Sequence, residues 1–233
     1  MSSFTEFQNI LPDPNYGIGD AGQSGTSKGP GFASVKLSSE RPIMRNRTNS
    51  GRTISRAQMY HKWNISITYN ELTREEFDPV YSFLMEKQGS LKPFFVSLPQ
   101  YREQIADMLC GTASAGSNII STVVDIEAPL DVVKPGFLFT VADPSDSTHV
   151  KAYTVVRVEN NTNYLVGSRP TVGIQKITIS PSLSKNIVGT DGVSGLIFTN
   201  PLIQVIQTGD IQEYSLGNTG LYNFSLQLEE ALY

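Results

Sequence analysis

The residue types that usually carry chemistry are scarce in this chain and badly spaced for it. Two histidines, His61 and His149, fall on different expected elements, and Cys110 is the only cysteine. The common zinc sites therefore lack ligands. Gly111 to Ser117 holds two glycines but not the lysine that a phosphate-cradling loop requires. Cys110, beside Gly111, reads as a small buried apolar residue rather than a nucleophile.

Three further groupings have a chemical reading and a simpler structural one. Asp143 and Asp146, with neighbouring hydroxyls, carry calcium-type donors, but a tight hairpin uses the same residues to bond its own backbone. Glu75 and Glu76 resemble a carboxylate pair, but at a helix start the dipole and capping explain them. Trp63, Tyr69, Phe94, Phe95, Tyr222 and Phe224 would suit a sugar-stacking platform, but their alternation within strands assigns them to a core. No catalytic residue, metal site or cofactor is expected.

The charge is distributed unevenly along the chain. Between positions 41 and 62 stand Arg41, Arg45, Arg47, Arg52, Arg56 and Lys62 with no acidic residue, although the net charge is −4. Beyond Lys185 there is no lysine or arginine, while Asp191, Asp210, Glu213, Glu229 and Glu230 are acidic. A basic stretch can serve nucleic acid, but here it lacks interleaved aromatics and sits in an acidic protein. The better reading pairs it with the acidic C-terminal part, within one subunit or between neighbours. Arg41, Arg45, Arg47, Arg52, Arg56, Asp210, Glu213, Glu229 and Glu230 are therefore the candidate subunit-interface residues.

The elements around these residues are legible from periodicity. In HKWNISITYNELTREEF (61–77), Trp63, Ile65, Ile67 and Tyr69 alternate with polar residues, as in a half-buried strand. Thr73 and Glu76 have capping-box spacing. Phe77, Val80, Tyr81 and Leu84 then give a helical face, and Gly89 ends the helix. Pro79 conflicts with a helix capped at Thr73, so a kink or restart at Asp78 is expected. Pro93 to Leu98 reads as a buried strand closed by Pro99. Ala33, Val35 and Leu37 mark an earlier strand, and Asn49-Ser50-Gly51 marks a turn. A strand from Thr53 to Tyr60 leads into or continues as the Trp63 strand. Trp63, Thr73, Glu76, Gly89 and Pro99 are the residues expected to set this geometry.

Residues 1–32, rich in glycine and proline, read as a flexible arm, disordered alone or ordered on a partner. The small-residue stretch GTASAGS (111–117) marks a boundary. After it come five short strands, Ile119–Val124, Phe137–Val141, Val150–Val158, Ile174–Ile179 and Gly195–Phe198, suggesting a small barrel. Leu202 to Ile206 begins another extended run. The last stretch, LYNFSLQLEEAL, alternates like the Trp63 strand, and the two can pair across the chain. This organisation gives a first domain, 33–110 and 201–233, interrupted by 111–200. With 17% charged and 39% hydrophobic residues the chain is expected to be β-rich. It contains no apolar run of membrane-spanning length, and neither membrane binding nor a secretory signal is expected.

Several segments also carry a resemblance. W-N-I-S-I-T-Y-N-E-L, E-E-F-D-P-V-Y-S-F-L and K-Q-G-S-L-K-P-F-F-V-S-L-P resemble bacteriophage tail proteins of the tube-like class. These are the minor or distal tail proteins between the tube and the tail tip or baseplate. G-F-L-F-T-V, K-A-Y-T-V-V-R-V, I-T-I-S-P-S-L and F-S-L-Q-L-E-E-A-L extend the likeness over residues 33–233. It implies a mainly β fold: a tail-tube-like β-sandwich or barrel with one packed helix, interrupted by an inserted small β-barrel. It also implies a structural virion protein of the tail, assembled in the host cytoplasm. Such a protein would associate with copies of itself in a ring, often sixfold, and with the tail tube and other baseplate or tail-tip proteins. Nucleic acid would matter only as cargo passing a channel. The alternative is a receptor- or carbohydrate-binding module with the inserted barrel as its binding face. An enzyme is disfavoured, because no acid–base pair or metal cluster stands out.

Overall fold

The computed structural model describes residues 9–15, 29–57, 60–102, 104–125, 133–144, 146–160, 172–188, 194–209, 213–217 and 219–231. The chain is mainly β with one α-helix, as expected. Its first half holds β1 (Phe32–Glu40), β2 (Ile43–Arg47), β3 (Thr53–Ala57), β4 (Lys62–Tyr69), α1 (Arg74–Lys87) and β5 (Phe94–Ser97). β6 (Met108–Cys110), β7 (Ile119–Asp125), β8 (Leu138–Ala142), β9 (Ala152–Asn160), β10 (Val172–Ser180) and β11 (Gly195–Ile197) follow. β12 (Leu202–Gln207), β13 (Tyr214–Leu216) and β14 (Tyr222–Glu230) complete the chain. Two compact units result: one spans the chain up to Phe95 and resumes from Val205 to Ala231, and the other is encoded between, Val96 to Gln204.

The sheet is ordered β1-β4-β14-β12-β5, with β13 paired to β14. Alternation in β4 buries Trp63, Ile65, Ile67 and Tyr69. The same period in β14 buries Phe224, Leu226 and Leu228. Each such side chain contributes about 1.5–3 kcal/mol by leaving water. The two strands pair antiparallel, with Ser225 opposite Thr68 and Glu229 opposite Asn64, so the expected long-range pairing is present. One corrected element is the Thr53–Tyr60 strand. It ends at Ala57 and pairs with β2, not with the sheet, through Arg47↔Thr53 to Ile43↔Ala57.

α1 lies on this sheet through Phe77, which stacks on Tyr222 at 4.5 Å, and through Phe83, edge-on to Phe94 at 5.4 Å. Its buried residues are Phe77, Val80, Phe83, Leu84 and Lys87. Phe83 thus joins the expected face, while Tyr81 is only half-buried and stacks on Phe77. At the start, the Glu76 carboxylate accepts from the Thr73 N–H at 3.0 Å and from its hydroxyl at 2.8 Å. Those two bonds, backbone first, hold the Glu76 carboxyl below its usual range. The helix runs through Pro79 as one piece, so the expected restart at Asp78 does not occur. Proline removes only the bond to the carbonyl of Glu75, an exposed first-turn residue whose carbonyl water can satisfy. The left-handed exit falls on Gln88 (φ 55°), one residue before Gly89, which follows at φ 66°. Pro99 opens a single 3-10 turn, Pro99–Tyr101, directly after β5 and Leu98.

Part of the expected flexible arm is fixed on this unit. Ile10 bridges Phe95 in parallel, and Leu11 and Asp13 are fully buried. Residues 1–8 and 16–28 of that arm lie outside the described residues.

In the other unit, β10-β7-β6-β11-β8-β9 close into a barrel. Ile120, Phe139, Tyr153, Ile177, Leu196 and Phe198 fill it, all with no exposed surface. The five strands expected from sequence are joined by a sixth, β6, which pairs with β7 and β11. β6 precedes the small-residue stretch 111–117, and Ala113 within that stretch bridges Ile187.

Candidate assembly surface

The groups with chemical potential are engaged in holding the fold. Cys110 is buried in the barrel core, and burial, with Asp143 second, pushes its thiol up to about 11. A thiol so protonated is a poor nucleophile. Asp146 bonds the backbone of its own turn, as the turn reading expects, whereas the Asp143 side chain reaches Val188 instead. Asp146 accepts from the Thr148 N–H at 2.9 Å and from its hydroxyl, and Asp143 is buried and accepts from the Val188 N–H at 3.0 Å. His149 is buried against Tyr153, with 2.8 Å between Nε2 and Oη, and the same Oη lies 2.9 Å from the Ser184 hydroxyl. Burial holds the His149 pKa below its ordinary value. Among the described residues no cluster of His, Cys, Asp or Glu is placed to hold a metal ion. Of the aromatics that suit a sugar platform, Trp63, Tyr69, Phe94 and Phe224 are core residues.

What the chain leaves uncovered is the β2–β3 ribbon. Thr48 organises its turn: its hydroxyl bonds the Arg52 carbonyl and accepts the Arg52 N–H, both at 3.1 Å. Gly51 supplies the left-handed position, φ 82°. Every residue of β2 is exposed, and so are Arg52 to Arg56 in β3. The exposed side chains include Ile43 (50%), Met44 (60%) and Ile54 (55%). Pairing places Met44 opposite Arg56 and Asn46 opposite Ile54 on one face, and Arg45 opposite Ser55 and Arg47 opposite Thr53 on the other. Both faces thus mix arginine with apolar or small polar residues. Arg45, Arg47, Arg52 and Arg56 have no ion-pair partner among the described residues. A two-stranded ribbon with neither face buried is marginal in water.

The acidic candidates divide. Lys62 pairs with Glu229 at 3.5 Å inside the same unit, each about a third exposed. Glu230 is buried, and its carboxylate accepts the Trp63 N–H at 3.3 Å. It is therefore not the exposed charge expected from sequence; β14's alternation turns position 230 inward with Leu228. Glu213 is exposed just ahead of β13. Asp210 lies outside the described residues. Arg41 is exposed at the end of β1. Lys62 and Glu229 are thus one contact between the basic and the acidic series that the structure brings together.

Sequence reasoning missed the apolar members of this surface. Ile43 and Met44 are adjacent, so in any strand they point to opposite faces, and no second layer could bury both. That adjacency, beside the Asn49-Ser50-Gly51 turn, was the available signal. It also missed β13, whose Tyr214 is half-exposed and packs on Phe77 and Tyr81. The outer edge of β1 is a further open feature: among the described residues β1 pairs with β4 alone.

Residues 11–101 match the family model for the N-terminal part of the A domain of distal tail protein pb9. Distal tail protein pb9 of Escherichia phage T5 is 27% identical over 210 residues, which cover 88% of this chain and 94% of that protein. The matched A-domain segment contains β1 to β5 and α1, the ribbon included. No helix here is long and apolar enough to cross a membrane. A sheet unit with an uncovered ribbon, a near full-length match to a phage distal tail protein and the tail-type segments in the sequence converge: the chain is a bacteriophage tail protein of the distal class, a structural component of the virion tail.

Proposed function

We propose that this chain is a ring-forming subunit that joins the tail tube to the tail tip or baseplate. The observation that carries the reading is the ribbon, with four exposed arginines that have no ion-pair partner among the described residues and three exposed apolar side chains. A second copy of the chain supplies the missing cover. Contacts between copies would be heterologous, one patch meeting a different patch, which closes a ring when the rotation permits. The open edge of β1 supports the same reading, since an unpaired edge is a template for a neighbour's strand. Exposed Glu213 is a candidate acidic contact for the arginines, and rim charges of this kind set register and encounter rate more than affinity. Sixfold rings are frequent in the tail-protein class that the sequence resembles.

The test is mass measurement and negative-stain imaging of the purified chain, alone and with tail-tube subunits as template. A closed ring of one discrete copy number is the expected result. If neither preparation yields a ring, the proposal fails.

A further inference from the structure

β5 is the last strand of the sheet, yet its outer edge is not open. The Phe95 N–H donates to the Asn9 carbonyl at 2.8 Å, and the Phe95 carbonyl accepts from the Leu11 N–H at 2.8 Å. The Asn9 side-chain amide adds a bond to the Pro93 carbonyl at 3.1 Å. Ile10 is thus the single bridging residue of a very short parallel ladder. Side chains supply what the ladder lacks: Leu11 is fully buried and Pro12 and Asp13 are buried beside it. Asp13 lies near enough to Tyr69 on β4 that its charge acts on the buried phenol. The far end is clipped by Gly29, whose N–H donates to the Asp13 carbonyl at 3.0 Å. A Cβ at position 29 would lie 2.4 Å from both the Asp13 nitrogen and the Pro12 carbonyl carbon, so only glycine fits.

The attachment covers β5 at Phe95, beside Pro93, rather than along its length. We propose that Asn9–Asp13 is a detachable capping strand, and that the slot beside β5 is an acceptor for an extended N-I-L-P-D segment which the chain fills from its own N-terminus. The cap withholds β5 from strand pairing with other chains while β1 remains open. One bridge, the buried Leu11-Pro12-Asp13 run and the Gly29 clip are all local to one short stretch, as in a segment that opens apart from the sheet. The slot's specificity lies in Leu11 and Asp13, and its backbone bonds would be reproduced by the same segment supplied in trans.

The experiment is amide exchange on the full chain carrying Leu11→Asp, with Gly29→Ala as a second variant that leaves the leucine in place. The Phe95 amide reports the slot and the Ile67 amide, in β4, reports the sheet. Leu11→Asp should speed Phe95 exchange by about a hundredfold and leave Ile67 unchanged, with a smaller change of the same pattern in Gly29→Ala. An excess of a peptide of residues 8–15 should then restore Phe95 protection in the Leu11→Asp chain, and the peptide with Leu11→Asp should not. Unchanged Phe95 exchange in both variants would overturn the proposal. So would loss of Ile67 protection together with Phe95, which would make the segment part of the core, or failure of the wild-type peptide to restore protection. None of these outcomes depends on whether a ring forms.

Discussion

In the barrel unit each of β6 to β11 has a strand neighbour on both sides, and the strands enclose one apolar core. Among the described residues of the sheet unit, β1 is paired on one side only, β5 is met at Phe95 by a separate segment, and β2 and β3 pair solely with each other. Full closure removes every main-chain template for another strand, whereas an open sheet must cover, charge or use its edges. The proposed assembly by strand and ribbon therefore uses the sheet unit. The same contrast appears in their polar groups. Asp143 and His149 of the barrel are buried and hydrogen-bonded, while the ribbon's arginines face solvent with no ion-pair partner among the described residues.

The comparison can be broken at several points, the strongest in the barrel core. Phe139→Ala removes a fully buried ring packed on Tyr153 and Phe198, and should cost the barrel about 3–5 kcal/mol. Exchange at the Ile177 amide under increasing urea measures it; a loss below about 1 kcal/mol would mean that the barrel core is not what closes this unit. In the sheet unit, Thr73→Ala with Glu76→Gln should cost about 1 kcal/mol in denaturant unfolding. The pH dependence has a definite sign. Because folding lowers the Glu76 pKa, its contribution is complete above the ordinary value of 4.5 and fades as pH falls through the lower folded value. Wild type and variant should therefore converge in acid.

A smaller effect belongs to His149. Its environment includes Asp146 and Asp143, which favour the charged ring, and Lys185, which opposes it, but burial dominates and lowers the pKa. The unfolded chain then binds the proton more readily, so barrel stability is full above about 6.5 and declines as pH falls below it. A His149→Gln chain should lose that decline in thermal melts followed by barrel amides. The least effect on folding is expected from the triple Arg45→Glu, Arg47→Glu, Arg52→Glu change, within about 0.5 kcal/mol, because none of the three touches a core.

Legibility in the sequence followed burial on one face. β4 and β14 announce themselves because a core lies on one side of each, and period-2 alternation records it in Trp63–Tyr69 and Phe224–Leu228. β6 and β13 are three residues each, too short to establish any period, and exist only through their partners. Asn9–Asp13 carries one apolar anchor between prolines and glycines, a pattern that a linker shares. The ribbon's arginines were visible as a charge run, but their apolar neighbours were not, since Ile43, Met44 and Ile54 follow no single face. A surface meant for a partner need not show the period of a core it does not have. Glu230 erred the other way: its charge suggested solvent, while its place in the β14 alternation pointed inward.

The most direct measurement compares assembly of the wild-type chain and the Arg45→Glu, Arg47→Glu, Arg52→Glu variant, by native mass and negative-stain imaging across a salt series. The account predicts that wild-type rings weaken with rising salt, and that the variant, equally well folded, forms them poorly at any salt. The same ring, with the same salt sensitivity, from the charge-reversed chain would contradict it.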